Sequence, residues 1–250
     1  MKLNHYRILL LSLGLVTVCF SYSLAQDEKQ AAIQALKRLA TVYKSSMNLS
    51  FNAAFYYADE KQPHEILDSL QGKFKISGNN YWYALANTEI ISDGQFAVIL
   101  YKEDSLMYLT RSSAATQSIN PVALIDSFLV HNTNLNLHSR TNNGQQMITI
   151  DFPANGPYKS IVYTINPKTG FVVQMRSIVK SDQLLDPGVR AAGGSSPGYA
   201  IVDVVLNNYK VNEPGSNIFS MSNYFKKEGK EYVTVAPYNT YKIFLGSPDL

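Results

Sequence analysis

The chain has 250 residues, 46% of them hydrophobic and 16% charged, with a formal net charge of +3. Charge this close to balance gives no long-range attraction for nucleic acid or an anionic membrane surface, so neither is expected as a partner. The single cysteine, Cys19, leaves no pair for an internal disulfide and no cysteine metal site.

Residues 1–25 read as a cleaved secretory signal peptide. Lys2, His5 and Arg7 precede an apolar run from Ile8 to Phe20, and Ser23-Leu24-Ala25 forms a small-x-small cleavage site. Ser21 and Ser23 interrupt the run before it reaches the roughly 20 apolar residues that a retained span needs. Val18 stands where lipidation of Cys19 would need a small residue. The expectation is therefore a periplasmic chain, not lipidated and without stable membrane insertion, starting near Gln26. Loss of Lys2, Arg7 and Cys19 leaves it nearly neutral and free of thiols. No break in composition marks a boundary, so residues 26–250 are expected to form a single domain, long enough to bury a full core.

From Asp27 to Met47, Ile33, Leu36, Leu39, Tyr43 and Met47 recur every three or four residues between Lys29, Lys37, Arg38 and Lys44. The spacing predicts an amphipathic helix, with Asp27 and Glu28 in the first turn where the helix dipole favours negative charge. The period changes to two over Leu49 to Ala58, a strand. Lys61 to Leu70 is polar and reads as a connection. Lys73 to Ser77, Tyr81 to Asn87 and Gln95 to Tyr101 read as three antiparallel strands, separated by Gly78-Asn79-Asn80 and by Asp93-Gly94, residues that tolerate the positive φ of tight turns. With the pleat kept in register, Phe74, Ile76, Tyr81, Tyr83 and Leu85 would share one side with Phe96, Val98 and Leu100.

Ser105 to Thr110 is a further strand. After a polar loop, Asn120 and Pro121 open a second short helix, with Leu124, Ile125, Phe128 and Leu129 on one face. Strands follow over Met147 to Phe152, Tyr158 to Ile165, Phe171 to Lys180 and Tyr199 to Val211. Residues 186–198 form a flexible Gly-, Ser- and Pro-rich loop, and a final pair of strands lies near Ile218 to Phe225 and Tyr232 to Val235, leading into a C-terminal extension over 226–250.

Chemistry-bearing patterns are sparse. His64, His131 and His138 match no compact metal spacing and read as surface residues. Gly193 to Gly198 lacks both the Gly-x-Ser-x-Gly order and a following Gly-Lys-Ser/Thr. Glu89 and Asp93 form a conceivable acid and base pair, but a hairpin turn explains Asp93 and Gly94. The chain carries 17 tyrosines, which either reflect strand propensity or line a concave apolar site with a polar rim. No catalytic residue, metal ligand or cofactor is assigned.

Several stretches in this order carry a resemblance: Phe51-x-Ala53 opening a strand, Gly72-Lys73-Phe74, Ile91-Ser92-Asp93-Gly94 before an apolar strand, Asn120-Pro121 starting a helix, Asn166-Pro167-Lys168-Thr169-Gly170-Phe171, and Asn217-Ile218-Phe219. Together they resemble the periplasmic outer-membrane lipoprotein carrier (LolA-like) family and its wider lipid-binding superfamily. The resemblance implies a mainly β fold with α, a strongly curved antiparallel sheet forming an incomplete half-barrel around two lid helices and enclosing an apolar cavity. It implies a non-catalytic carrier of acyl chains of lipids or lipoproteins, with envelope proteins as donor and acceptor. The expected cavity lining is Phe55, Tyr57, Phe74, Ile76, Tyr81, Tyr83, Leu85, Phe96, Val98 and Leu100. The lids would contribute Leu36, Leu39 and Tyr43, and Leu124, Ile125 and Phe128. Where family members often carry an Arg-Pro pair after the Gly-x-Phe strand, this chain has Ser77-Gly78, so the lid-holding role has no residue assigned to it. A monomer is expected. The alternative is a structural or interaction module of a cell-envelope complex that uses the same fold without lipid cargo.

Overall fold

The computed structural model describes residues 28–46, 48–112, 135–154, 156–184, 198–212, 217–247 and 250. The expected leader, the second helix with Leu124, Ile125 and Phe128, His131, and nearly all of the 186–198 loop lie outside the described residues.

Helix α1 spans residues 28–45. Ala32, Ala35, Leu36, Leu39, Ala40 and Tyr43 are buried along one stripe, while Lys37, Arg38 and Lys44 are exposed. Three of the six buried side chains are alanines, which lets the helix lie close on the sheet beneath. Its end is set locally. Ser46 Oγ donates to the Val42 carbonyl at 2.6 Å, and Asn48 adopts a left-handed φ of 51°, the conformation that commonly terminates helices.

The strands are β1 (Leu49–Asp59), β2 (Gln62–Ser77), β3 (Asn80–Leu85), β4 (Thr88–Ser92), β5 (Phe96–Tyr101), β6 (Leu106–Arg111), β7 (Asn136–Asn142), β8 (Gln145–Asp151), β9 (Tyr158–Ile165), β10 (Val172–Lys180), β11 (Tyr199–Lys210), β12 (Phe225–Glu228), β13 (Glu231–Thr234) and β14 (Lys242–Leu245). Among the described residues, twelve of them form one open sheet in the order β14-β6-β5-β4-β3-β2-β1-β11-β10-β9-β8-β7. The β1–β11 pair joins two meanders into this single surface. β14 adds to β6 in parallel, and β12 and β13 form a separate hairpin. Irregular register between Ser50 and Asn52 against β11, and between Tyr57 and Asp59 against β2, breaks the long central strands at bulges, which bend and twist a sheet.

Each face has its own core. On the inner face the helix stripe packs with Phe51, Phe74, Tyr83, Ile148, Ile150, Tyr163 and their neighbours. An aromatic ladder crosses this face from strand to strand. Phe171 stacks on Tyr209 at 4.5 Å, Tyr209 meets Phe51 at 5.2 Å, Phe51 stacks on Phe74 at 5.1 Å, and Phe74 stacks on Tyr83 at 5.5 Å. On the outer face Trp82, Ile91, Val98, Leu100, Met107 and Leu109 are covered by Met221, Tyr224 and Phe225.

Three expectations change here. Lys61 to Leu70 is not a connection: from Gln62 onward it is the first part of β2, exposed over Gln62 to Ser69. The stretch expected as strands from Tyr81 to Tyr101 holds an additional strand, β4, entered through a turn in which Ala86 takes a φ of 49°. That insertion shifts the parity. Ile91 pairs with both Trp82 and Val98, so Phe96, Val98 and Leu100 project from the outer face, opposite to Tyr81, Tyr83 and Leu85. Lastly, 218–224 is not a strand but two short 3-10 turns, Asn217–Phe219 and Met221–Asn223.

Candidate ligand-binding cavity

A cavity of about 340 Å³ opens on the inner face, beside the region covered by α1. Alternation places its walls. Phe51, Ala53, Phe55 and Tyr57 come from β1, Val202, Val204 and Leu206 from β11, and Val172, Met175, Ser177 and Val179 from β10. In register, Tyr57 faces Val202 and Phe55 faces Val204, while Met175 lies beside Val204 and Ser177 beside Val202. Phe74, Tyr158 and Tyr163 complete the sides, and Gln183 and Leu184 of a 3-10 turn over Ser181–Leu184 close one end. Leu184 is 45% exposed, an apolar side chain at the border between cavity and solvent. No charged side chain stands among the described lining residues. The size lies within the roughly 300–1,000 Å³ of small-ligand pockets.

Of the ten side chains expected to line a cavity, Phe55, Tyr57 and Phe74 do so. Tyr81, Tyr83, Ile76 and Leu85 belong to the same inner-face core but pack outside the cavity wall, and Phe96, Val98 and Leu100 face away from it. Leu36, Leu39 and Tyr43 are packed core residues on α1, with exposures of 0%, 2% and 5%, and do not appear in the wall. The lining from β9, β10 and β11 was missed. Those strands were legible one by one, but their approach to β1 depends on a pairing more than 140 residues apart in sequence, and no local pattern announces it.

A second element missed in the sequence is the tie that holds α1. The Tyr43 and Tyr209 hydroxyls lie 2.8 Å apart. Tyr209 donates to the Val172 carbonyl at 2.8 Å, so Tyr43 is the donor to Tyr209, and Tyr43 in turn accepts the Val172 N–H at 3.4 Å. The ring of hydrogen bonds satisfies both backbone groups of a residue that also lines the cavity. Burial pushes the Tyr43 phenol up to about 12. Burial, and then the neighbouring Tyr43, also hold Tyr209 well above the ordinary phenol value. At the turn below, Gly170 has a φ of 73°, and a Cβ there would lie 2.9 Å from Val42 Cγ2. Helix and turn are in contact without room for a side chain. Ser77 donates to Asn48 Oδ1 at 2.7 Å, just beyond the end of the helix.

The carboxylates considered for catalysis are engaged elsewhere. Glu89 pairs with Lys102 at 2.5 Å and accepts from Trp82 Nε1 at 3.4 Å. Asp93 Oδ1 accepts the backbone N–H groups of Gln95 and Phe96 at 2.9 and 2.8 Å, which makes it a turn residue. His138 lies exposed between Glu28 and Asp151. No helix among the described residues is long and apolar enough to cross a membrane.

No family model and no curated protein matches the sequence. Solved structures do. A LolA superfamily protein from Nitrosomonas europaea is 10% identical with a TM-score of 0.38, over 76% of this chain and 97% of that one. The lipoprotein LppX of Mycobacterium tuberculosis is 13% identical with a TM-score of 0.42, over 75% and 98%. The MucA/MucB complex of Pseudomonas aeruginosa is 12% identical with a TM-score of 0.36, over 82% and 63%. The functional reading rests on the cavity itself.

Proposed function

We propose that the protein binds and shields apolar chains, the acyl chains of lipids or lipoproteins, as a periplasmic carrier without covalent chemistry. The observation that carries this reading is the wall built from Phe55, Tyr57, Met175, Val179, Val202 and Val204, apolar, concave and free of charged groups among the described lining residues. A chain leaving water for such a wall gains about 0.8 kcal/mol per methylene, so ten methylenes correspond to roughly 8 kcal/mol, far more than any one polar contact contributes. The inner-face residues Ile76, Tyr81, Tyr83 and Leu85 extend the same apolar surface beyond the cavity. Envelope proteins would donate and receive the cargo.

Organic extraction of the purified mature protein, followed by lipid mass spectrometry, tests this directly. Co-purified acyl lipids, together with saturable binding of a fluorescent fatty-acyl probe, are the expected result. A protein that yields no lipid and binds no probe overturns it, and a stoichiometric protein partner in place of lipid would favour the interaction module.

A further inference from the structure

The outer face of the sheet carries a second concavity, on the side opposite the acyl cavity. Alternation along β1 sends Phe51, Phe55 and Tyr57 to the inner face, so Ser50 and Asn52 project outward. Register carries that outward set across the sheet. Ser50 lies between Lys75 of β2 and Lys210 of β11, Asn52 lies between Lys73 and Asn207, and Lys75 stands beside Trp82 of β3. The short side chains of Ser50 and Asn52 make a floor, and the longer lysines and Trp82 rise beside it, enclosing a trough of about 710 Å³. β11 is bulged at this place, with its register slipping between Ser50 and Asn52 and Asn208 at a φ of 54°. A bulge bends a sheet and re-aims a side chain, and here it adds an exposed amide to the trough.

The charge of the trough has one sign. Lys73, Lys75 and Lys210 line it, and no carboxylate stands among the described lining residues. Glu89 and Asp203, on the same face, are paired with Lys102 and Arg176. Lys73 and Lys75 project the same way from one strand about 7 Å apart, within the roughly 8 Å over which salt screens charge. A sheet surface shaped for stability alone would intersperse the two signs, and the near balance of the whole chain conceals this local excess.

Charge complementarity calls for an anion, and the other lining groups narrow its kind. The amides of Asn52, Asn207 and Asn208 and the hydroxyl of Ser50 each donate and accept, which suits the hydroxyls of a sugar. The lysines are spread rather than converging, and no arginine fork lines the trough, which suits separate carboxylates along a chain better than one phosphate. None of the exposed large apolar side chains lines this trough, so nothing there would enter a bilayer. A peptide lying across a sheet face gains no strand edge to pair with. We propose that this outer trough binds an acidic saccharide, a glycan whose carboxylates sit on Lys73 and Lys75 while its hydroxyls bond to Asn52 and the amides beside it. The site is independent of the acyl cavity, which lies on the other side of the sheet.

The test is calorimetric titration of the full mature chain with tetragalacturonate, its methyl ester and tetraglutamate, at low and at physiological salt. Tetragalacturonate is expected to bind most tightly, and more weakly as salt rises. The ester keeps the sugar hydroxyls but loses the charge, and tetraglutamate keeps the charge without the sugar; each should bind at least about tenfold more weakly, the effect of losing two or more surface ion pairs or hydrogen bonds. Joint replacement Lys73→Gln and Lys75→Gln should weaken tetragalacturonate by about tenfold and flatten its salt dependence, and Asn52→Ala should weaken it by about 3- to 10-fold. Equal binding of the ester overturns the site, as does an unchanged affinity in the lysine variant or failure of the wild type to bind tetragalacturonate. Tetraglutamate binding as tightly would give the trough to an acidic peptide, and co-sedimentation with phosphatidylglycerol vesicles without saccharide binding would give it to a membrane surface; either result overturns the saccharide.

Discussion

At the scale of single residues, the hydroxyls of Tyr43 and Tyr209 bind a helix to a sheet through one peptide unit. Val172 N–H, Tyr43, Tyr209 and Val172 C=O form a closed circuit, and none of these groups is left unpaired. Tyr209→Phe opens the circuit. The Val172 carbonyl and the Tyr43 hydroxyl each lose a partner in a buried setting, and the variant should be less stable by about 1–3 kcal/mol in urea unfolding. A change within a few tenths of a kcal/mol would mean that the ring stacking of Tyr209 on Phe171 holds the site by itself. The same residues predict an alkaline limit. Burial raises the folded-state phenols above the unfolded value, so the folded chain keeps protons that the unfolded chain has already released. Stability is therefore fully present below about pH 10 and declines as pH rises toward about 12, the value to which Tyr43 is pushed. Urea midpoints followed by phenolate absorbance should fall across that window, and a flat midpoint would show that the buried tyrosines titrate as if exposed.

At the scale of elements, the C-terminal segment from Asn217 to Leu245 acts as a cover. Met221, Tyr224 and Phe225 lie over Trp82, Val98, Leu100 and Leu109, and β14 lengthens the sheet beyond β6. A chain ending at residue 216 would leave the outer-face core in water and β6 as a bare edge, the arrangement that invites association. Such a truncation should bind the dye ANS and scatter light where the full chain does neither; a soluble, dye-silent truncation would assign the cover to another part of the chain. The sequence conveyed the elements whose signals are local. Helix α1 is legible from Ile33, Leu36, Leu39 and Tyr43, β1 from its alternation, and the turn after β2 from Gly78 and Asn79. β4 was hidden because its turn uses Ala86 at a positive φ, a residue that gives no turn signal. That miscount put Phe96, Val98 and Leu100 on the wrong face. β2 from Gln62 to Ser69 was hidden for another reason: it is exposed throughout, so nothing selects alternation there. Phe55, Tyr57 and Phe74 were found in the cavity because they follow the alternation of β1 and β2. Val202, Val204 and Met175 were not, because their place depends on how distant strands pair.

For the molecule as a whole, the twelve-stranded sheet of the described residues has a core on each face and keeps about 340 Å³ open between β1, β10 and β11. Unfilled apolar space forfeits dispersion contacts, so a chain shaped only for stability would fill it with larger side chains. Retention of the space sets stability against binding in a way that one substitution can reveal. Val202 is nearly buried, lines the cavity and pairs across β1 with Tyr57. Val202→Phe places a ring in the void without adding a polar group or altering the ladder of backbone hydrogen bonds. Cavity filling of this kind commonly contributes about 0.5–2 kcal/mol, so the variant should melt at a higher temperature than the wild type while its affinity for the fluorescent fatty-acyl probe drops by about tenfold or more. Added acyl ligand should raise the wild-type melting temperature through preferential binding to the folded state and leave that of Val202→Phe unmoved. A variant that is both more stable and equally tight in binding would place the ligand elsewhere on the inner face. One that is less stable would mean the void is already closed by movement of its walls, and that the open cavity is a state the ligand must induce.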